Sequence, residues 1–261
     1  MLEAMGIRLW GPADEVATEP KPPVAPPATK LSAGNRGASA SRAGVDFART
    51  ARGDSPASPR SAGAGAPDVP AAWQALADEA ASCTRCALCA GRTRAVFDTG
   101  HRQADWMIVG DAPEADDDRA AEPFAGRTGR LLDNMLAVLR LGRSDAPRLT
   151  PVYLTHAVKC HPPGSRGPED GELAACETFL RRQVELVQPR VILALGRVAA
   201  QALLGRAEPI GRLRGQVHRY AGVPVVATHH PLFLLRQPEA KAEAWDDLCL
   251  ALETVTVSSD T

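Results

Sequence analysis

Three observations predict an α/β fold, a three-layer α/β/α sandwich around a central, mostly parallel sheet, preceded by a disordered N-terminal extension. Runs such as Trp106-Met107-Ile108-Val109 and Val191-Ile192-Leu193-Ala194-Leu195 are apolar at every position, so a strand made from them has no side to show water. Segments of helical periodicity alternate with them. Strands of that kind need cover on both faces, and intervening helices supply it as crossovers between parallel neighbours. The third observation is compositional: ten of the 22 prolines fall in the first 70 positions, and Phe47 is the only aromatic between Gly11 and Val69.

Residues 17–69 are mainly Ala, Pro, Gly, Ser and Thr with scattered Arg and no period of 2 or 3.6. Such a composition cannot offset backbone entropy by burial, so residues 1–69 are expected to be a disordered extension and 70–257 a compact domain. Between Lys30 and Arg60 the extension carries six basic and two acidic residues, enough to touch a phosphate backbone or simply a solvated tether. At its start Leu2, Met5, Ile7, Leu9 and Trp10 are more apolar than a tether needs. Leu2 to Trp10 therefore reads either as a docking peptide for a protein partner or as a poorly ordered terminus.

From Pro70 the elements follow in order. Pro70 to Ser82 reads as a helix with Pro in its first turn and Trp73, Leu76 and Ala80 on one side. Trp106 to Val109 is a buried strand; Gly129 to Leu141 is a helix through Leu131, Leu132, Met135, Leu136 and Leu139. Pro151 to Val158 reads as a strand and Glu169 to Val187 as a long helix. Val191 to Leu195 is a strand, followed through Gly196 by a helix ending at Gly205. Val217 to Tyr220 and Val223 to Thr228 form a hairpin through Ala221-Gly222, and Pro238 to Val255 is the closing helix. In open parallel sheets ligands bind at the carboxyl edge. That edge is where the unusual sequences fall: Gly110 to Pro113, His156 to Pro163, and Thr228 to Pro231.

The compact part carries a net charge near −2, so a global basic field is excluded and any contact with nucleic acid must come from local arginines. No run approaches the roughly 20 apolar residues of a membrane helix, and Met1 to Trp10 lacks the apolar stretch of a signal peptide. A cytoplasmic protein with no membrane partner is expected, and a monomer. Six cysteines, at 83, 86, 89, 160, 176 and 249, are too few for a secreted disulfide scaffold and clustered like ligands. Cys83-x-x-Cys86 with Cys160 and Cys176 suits either a tetrahedral zinc or a cubane iron–sulfur cluster, and spacing alone does not separate these. Cys89 continues the three-residue interval and is a further candidate. Cys249 reads as a core residue of the last helix.

Several separated motifs together resemble one family. They are Cys83-x-x-Cys86-x-Leu88 with Arg92; Gly110-Asp111-Ala112-Pro113; Glu122-Pro123-Phe124-Ala125-Gly126 with Gly129; Lys159-Cys160-His161-Pro162-Pro163 with Arg166 and Cys176; Leu195-Gly196; Arg214-Gly215; and His230-Pro231 with Leu234-Leu235-Arg236. From Cys83 to Trp245 the chain resembles the bacterial and archaeal family-four uracil-DNA glycosylases. The resemblance implies that Cys83, Cys86, Cys160 and Cys176 hold a 4Fe-4S cluster, with Cys89 a neighbour, and that DNA, single- or double-stranded, is the partner whose flipped base is read.

Cutting a glycosidic bond in DNA requires the nucleotide to leave the stack, and the pocket then needs an aromatic face, an edge reader and a charge stabiliser. The resemblance casts Phe124, expected to be exposed between Pro123 and Gly126, as the aromatic face, and His230 as the donor to the departing base. It places Asp111 where the family has glutamate, to orient water or steady the sugar. Of the acidic run Asp116, Asp117 and Asp118, two are expected in a solvated loop and one near the sugar. His229 is expected to be structural or solvent-facing.

Two positions depart from the family. Glu114 stands where glycine usually lets backbone N–H groups approach a ligand, and His156 where asparagine usually reads the uracil edge. Among Arg127, Arg130, Arg166, Arg212, Arg214 and Arg236, the preferred phosphate contacts are Arg214 and Arg236. The sequence thus points to a glycosylase that removes uracil or a related deaminated base and leaves an abasic site. Its rivals are an iron–sulfur nucleic-acid-binding homologue with altered or lost excision, and a zinc-stabilised interaction module.

Overall fold

The computed structural model of the chain describes residues 69–144 and 147–257. The extension up to residue 68 and the segment Leu2 to Trp10 lie outside the described residues. The chain runs α1 (Val69–Ala81), β1 (Thr99–Gly100), β2 (Trp106–Gly110), α2 (Ala115–Ala120), α3 (Arg127–Val138), β3 (Leu141–Gly142), β4 (Thr150–His156) and α4 (Asp170–Val187). It continues with β5 (Val191–Leu195), α5 (Arg197–Leu204), α6 (Ile210–Leu213), β6 (Val217–Tyr220), β7 (Val223–Thr228), α7 (Pro231–Arg236) and α8 (Lys241–Val257). No helix among the described residues is long and apolar enough to cross a membrane.

The strand order is β1-β4-β2-β5-β7-β6, with β3 pairing β4 at the side. The central strands β4, β2, β5 and β7 are mutually parallel; β1 and β6 close the edges antiparallel. Register brings the carboxyl ends level, Gly110 opposite both His156 and Leu195, and Leu195 opposite Thr228. Successive side chains alternate between two cores, as the pleat requires. Met107, Val109, Ile192 and Ala194 pack with Trp73, Leu76, Phe179 and Ala199 under α1, α4 and α5. Trp106, Ile108, Leu193 and Leu195 pack with Leu132, Met135, Leu136 and Leu248 under α3 and α8. Burial of each such large side chain stabilises the fold by roughly 1.5–3 kcal/mol, and this two-sided cover holds the carboxyl edge as a rigid platform.

The expected sandwich and its parallel centre are present. The differences lie at element ends and in short pieces. The helix expected from Gly129 to Leu141 runs from Arg127 to Val138, because Leu141 is drawn off into β3. The closing helix begins with a separate 3₁₀ turn at Pro238–Ala240. Cys249 is part-exposed on α8 rather than in the core. The short helices α2, α6 and α7 carry too few residues for a periodic signal.

Candidate active site

Loops leaving β2, β4, β5 and β7 meet around a cleft of about 380 Å³ whose walls include Asp111, Glu114, His161, Arg166, His230 and Arg236. His230 follows β7 and caps the N-terminus of α7. The Leu232 N–H donates to its Nδ1 at 3.2 Å, so in the neutral ring the proton sits on Nε2. That Nε2 is buried without a partner in the structure. Burial, aided by the nearby His156 and opposed by Asp117, pushes the imidazole pKa down to about 3. The site thus holds a buried neutral donor on a residue of the cleft wall, unlike a surface histidine near its ordinary value.

Asp111 leaves β2 beside the start of α5. Its Oδ1 accepts the Ala199 N–H at 2.8 Å. Only glycine fits at position 196, where φ is +102° and a Cβ would stand 2.5 Å from Asp111 Oδ2. Burial pushes the Asp111 carboxyl up to about 6, against the backbone N–H groups of Ala199 and Val198 and the charge of Arg197.

Phe124 is a correction to the sequence reading: the ring is only 3% exposed and not offered to solvent. It packs on His156 at 4.5 Å between ring centroids and on His230 at 6.1 Å. Its φ of +57° is unusual for a bulky residue and costs about 1–3 kcal/mol. The loop is held there by Arg143, whose Nη1 and Nη2 donate to the carbonyls of Pro123 at 3.1 Å and Phe124 at 3.4 Å, and by Asp117, which accepts the Ala125 N–H at 2.8 Å.

The acidic run also differs from expectation, since Asp117 and Asp118 are both buried. Asp118 accepts the Thr93 N–H, and only Asp116 faces outward, paired with Arg119. Asp117 binds His156 Nε2 at 3.0 Å and the Glu114 N–H at 3.0 Å. Burial works to raise its pKa, but the bonds from His156, Glu114 and Ala125 outweigh this and hold it below the usual carboxylate range. Glu114, the residue standing in for glycine, accepts the Thr128 hydroxyl at 2.7 Å and thereby ties α2 to α3. His229 is structural, with Nε2 2.8 Å from Glu243.

Arg214 is not turned to the cleft. Its Nε lies 3.0 Å from the fully buried Asp247, Nη2 donates to the Glu243 carbonyl at 2.6 Å, and Nη1 stands 3.5 Å from the Glu243 carboxylate. Asp247→Ala should destabilise the fold by about 1–3 kcal/mol in urea denaturation, because it leaves Arg214 Nε and the Gly215 N–H without their shared acceptor. Arg236 is exposed and lines the cleft. Arg166, also on the cleft wall, is held by Glu172 through two bonds of 2.6 and 2.8 Å.

Behind the opposite core, Cys83, Cys86, Cys89, Cys160 and Cys176 line one small pocket together with Arg92, Lys159 and Phe179. Arg92 Nη1 donates to Cys160 Sγ at 3.2 Å. Among the described residues no three His, Cys, Asp or Glu side chains converge tightly enough for a single metal ion. Tetrahedral zinc draws four sulfurs to about 2.3 Å from one centre. Thiols gathered on one pocket are a donor set that suits either that ion or a cubane iron–sulfur cluster.

The family model described as the uracil DNA glycosylase superfamily matches residues 97–249. The chain belongs to that superfamily. Among curated proteins it is 38% identical over 177 residues to the type-4 uracil-DNA glycosylase of Pyrobaculum aerophilum, covering 65% of this chain and 87% of that one. It is 37% identical to the type-4 enzyme of Archaeoglobus fulgidus, covering 65% and 86%, and 36% identical to that of Thermotoga maritima, covering 62% and 82%. In this glycosylase fold the structure brings Asp111, Phe124, His156 and His230 to one end of the sheet. The residue the sequence reading undervalued is Asp117, which holds His156, the Glu114 N–H and the Phe124 loop together. Lys159, buried with Nζ 2.7 Å from Thr155 Oγ1 and 2.5 Å from the His156 carbonyl, fixes the end of β4 and was visible only as part of a motif.

Proposed function

We propose that this chain hydrolyses the N-glycosidic bond of uracil in DNA and leaves an abasic site, with residues 70–257 as the glycosylase domain. The observation that carries this reading is the buried, unpartnered Nε2–H of His230 at the carboxyl edge. As the bond from C1′ to N1 breaks, its electron pair leaves with the base and negative charge collects on N1 and O2. A neutral donor already in place lowers that barrier without reorganisation. The positive charge left on the sugar is met by ionised Asp111, which also orients the water whose oxygen bonds to C1′ and takes the proton that water releases, to be passed to the departing uracil anion. Phe124 supplies an apolar wall beside both imidazoles, and His156 stands at the base edge.

Arg236 is the preferred backbone contact. Arg236→Ala should weaken binding of uracil-containing and uracil-free DNA alike and reduce the salt slope by about 1, as titrations at several salt concentrations would measure.

Cys83, Cys86, Cys160 and Cys176 would hold a 4Fe-4S cluster, which when bound supplies a covalent clamp between α1's end, the β4 loop and α4. The Arg92 bond to Cys160 and the shared pocket support this assignment. Purified protein should carry iron and acid-labile sulfide in equal amounts, and Cys160→Ser should lose both along with thermal stability; zinc in their place would favour an interaction module.

The activity is tested with single- and double-stranded oligonucleotides bearing uracil, hypoxanthine or xanthine, followed by alkaline cleavage. Strand breaks at uracil are expected. No break at any base would instead identify a nucleic-acid-binding homologue that has lost excision. The partner of Leu2 to Trp10 is a separate proposal, a docking segment for another protein.

A further inference from the structure

We infer that His156, locked by Asp117, and His230 together read the O2 and N3–H of the flipped base, so that the pocket selects a lactam edge and ignores the group at C4. This deepens the glycosylase reading above and rests on it.

Asp117 sets the tautomer of His156. Its carboxylate accepts N–H groups from Glu114 and Ala125 and lies 3.0 Å from His156 Nε2. An ionised carboxylate can only accept, so Nε2 carries the proton. The ring is buried, and burial, aided by the nearby Lys159, outweighs Asp117 and Glu114 to hold its pKa down and the imidazole neutral. Nδ1 therefore presents a bare lone pair. It is buried and has no partner in the structure. A Cβ at Gly110 would stand 2.5 Å from that nitrogen and 2.5 Å from Phe124 Cζ, so only glycine lets both rings pack this closely against the end of β2.

His230 offers the opposite chemistry, a buried N–H with no partner. Phe124 contacts both rings, so donor and acceptor flank one apolar surface. Uracil carries an acceptor at O2 next to a donor at N3, which matches that pair. Cytosine carries acceptors at both places, and its N3 lone pair would meet the His156 lone pair. Asparagine at position 156 could rotate its amide to satisfy either base edge and could donate to O4. His156 cannot, because Asp117 holds the ring and no second donor exists on it.

Excision is measured on oligonucleotides containing uracil, 4-thiouracil or N3-methyluracil, with the wild type and His156→Asn. The wild type should cut 4-thiouracil within about 3-fold of uracil and lose at least about 100-fold on N3-methyluracil. His156→Asn, which gains a donor for O4, should cut 4-thiouracil about 10-fold less well than uracil. An equal 4-thiouracil penalty in both proteins, or tolerance of N3-methyluracil by the wild type, would overturn the inference. The ¹⁵N spectrum of histidine-labelled full-length protein gives a readout independent of turnover. It should show His156 protonated at Nε2 and bare at Nδ1; a proton on Nδ1 overturns the inference. Failure of the wild type to release uracil at all would remove the glycosylase reading, while the spectrum still reports on the histidine.

Discussion

His230→Ala should lower single-turnover excision of uracil by about 10²–10³, equivalent to about 2.7–4 kcal/mol of transition-state stabilisation, while leaving affinity for uracil-free DNA unchanged. The effect is large because the donor is prepared before the reaction. Leu232 N–H fixes the tautomer, burial excludes the water that would compete, and the depressed pKa keeps the ring neutral across the working range. A cationic imidazole would bind any anion; a neutral donor gains most as charge grows on O2, which is the property that separates transition state from ground state. Rapid-quench measurements with enzyme in excess over oligonucleotide read the chemical step directly. A loss under tenfold would show that another group carries the leaving-group charge. The same variant should unfold at a denaturant concentration close to that of the wild type, since His230 contributes one cap bond at the start of a six-residue helix.

The fold was legible because its strands are written as continuous apolar runs, which admit few architectures. Val191 to Leu195 could only be a strand covered on both sides, and all five residues are buried. The site was legible where one residue carries one role at a strand end, as for His230 and Asp111. It was not legible where a role depends on what a side chain meets across the fold. Asp116, Asp117 and Asp118 look alike in sequence, yet helix geometry points two inward and one outward. Arg214 sits beside glycine much as a loop phosphate contact would, but Asp247, 33 positions later on α8, claims its guanidinium. Phe124 between proline and glycine suggested exposure; the left-handed turn it adopts instead folds the ring under the loop. Glu114 looked like an anion obstructing a phosphate site, whereas Thr128 engages its carboxylate. For Arg214 and Glu114 the missing information is a partner elsewhere in the fold, and for the aspartates and Phe124 it is the backbone conformation, neither of which the local sequence encodes.

Asp111 yields the other large effect, of opposite sign for rate and for stability. With its carboxyl pushed up to about 6 by burial, the fraction able to orient water or steady the sugar falls as pH drops below that value. The rate of uracil excision should then decline about tenfold per pH unit on the acid side, with a midpoint near that of an ordinary histidine. Two variants tell the sources apart. Asp111→Asn should lose about 10²–10³ at neutral pH and flatten the acid limb. His230→Gln should be slow yet keep the limb, because an imidazole titrating at about 3 contributes nothing to it. Stability moves the opposite way. A carboxyl whose pKa is higher folded than unfolded stabilises the native state below its unfolded value, and that contribution is lost as pH rises through about 6. Ionised Asp111 therefore destabilises the protein it serves. Asp111→Asn should be more stable than the wild type at pH 7.5, by on the order of 1–3 kcal/mol, and the gap should close towards pH 4. Urea titrations at the two pH values measure this. A gap that persists at low pH would mean that the amide gains stability from packing rather than from relief of a buried charge, and would place the acid limb on another residue.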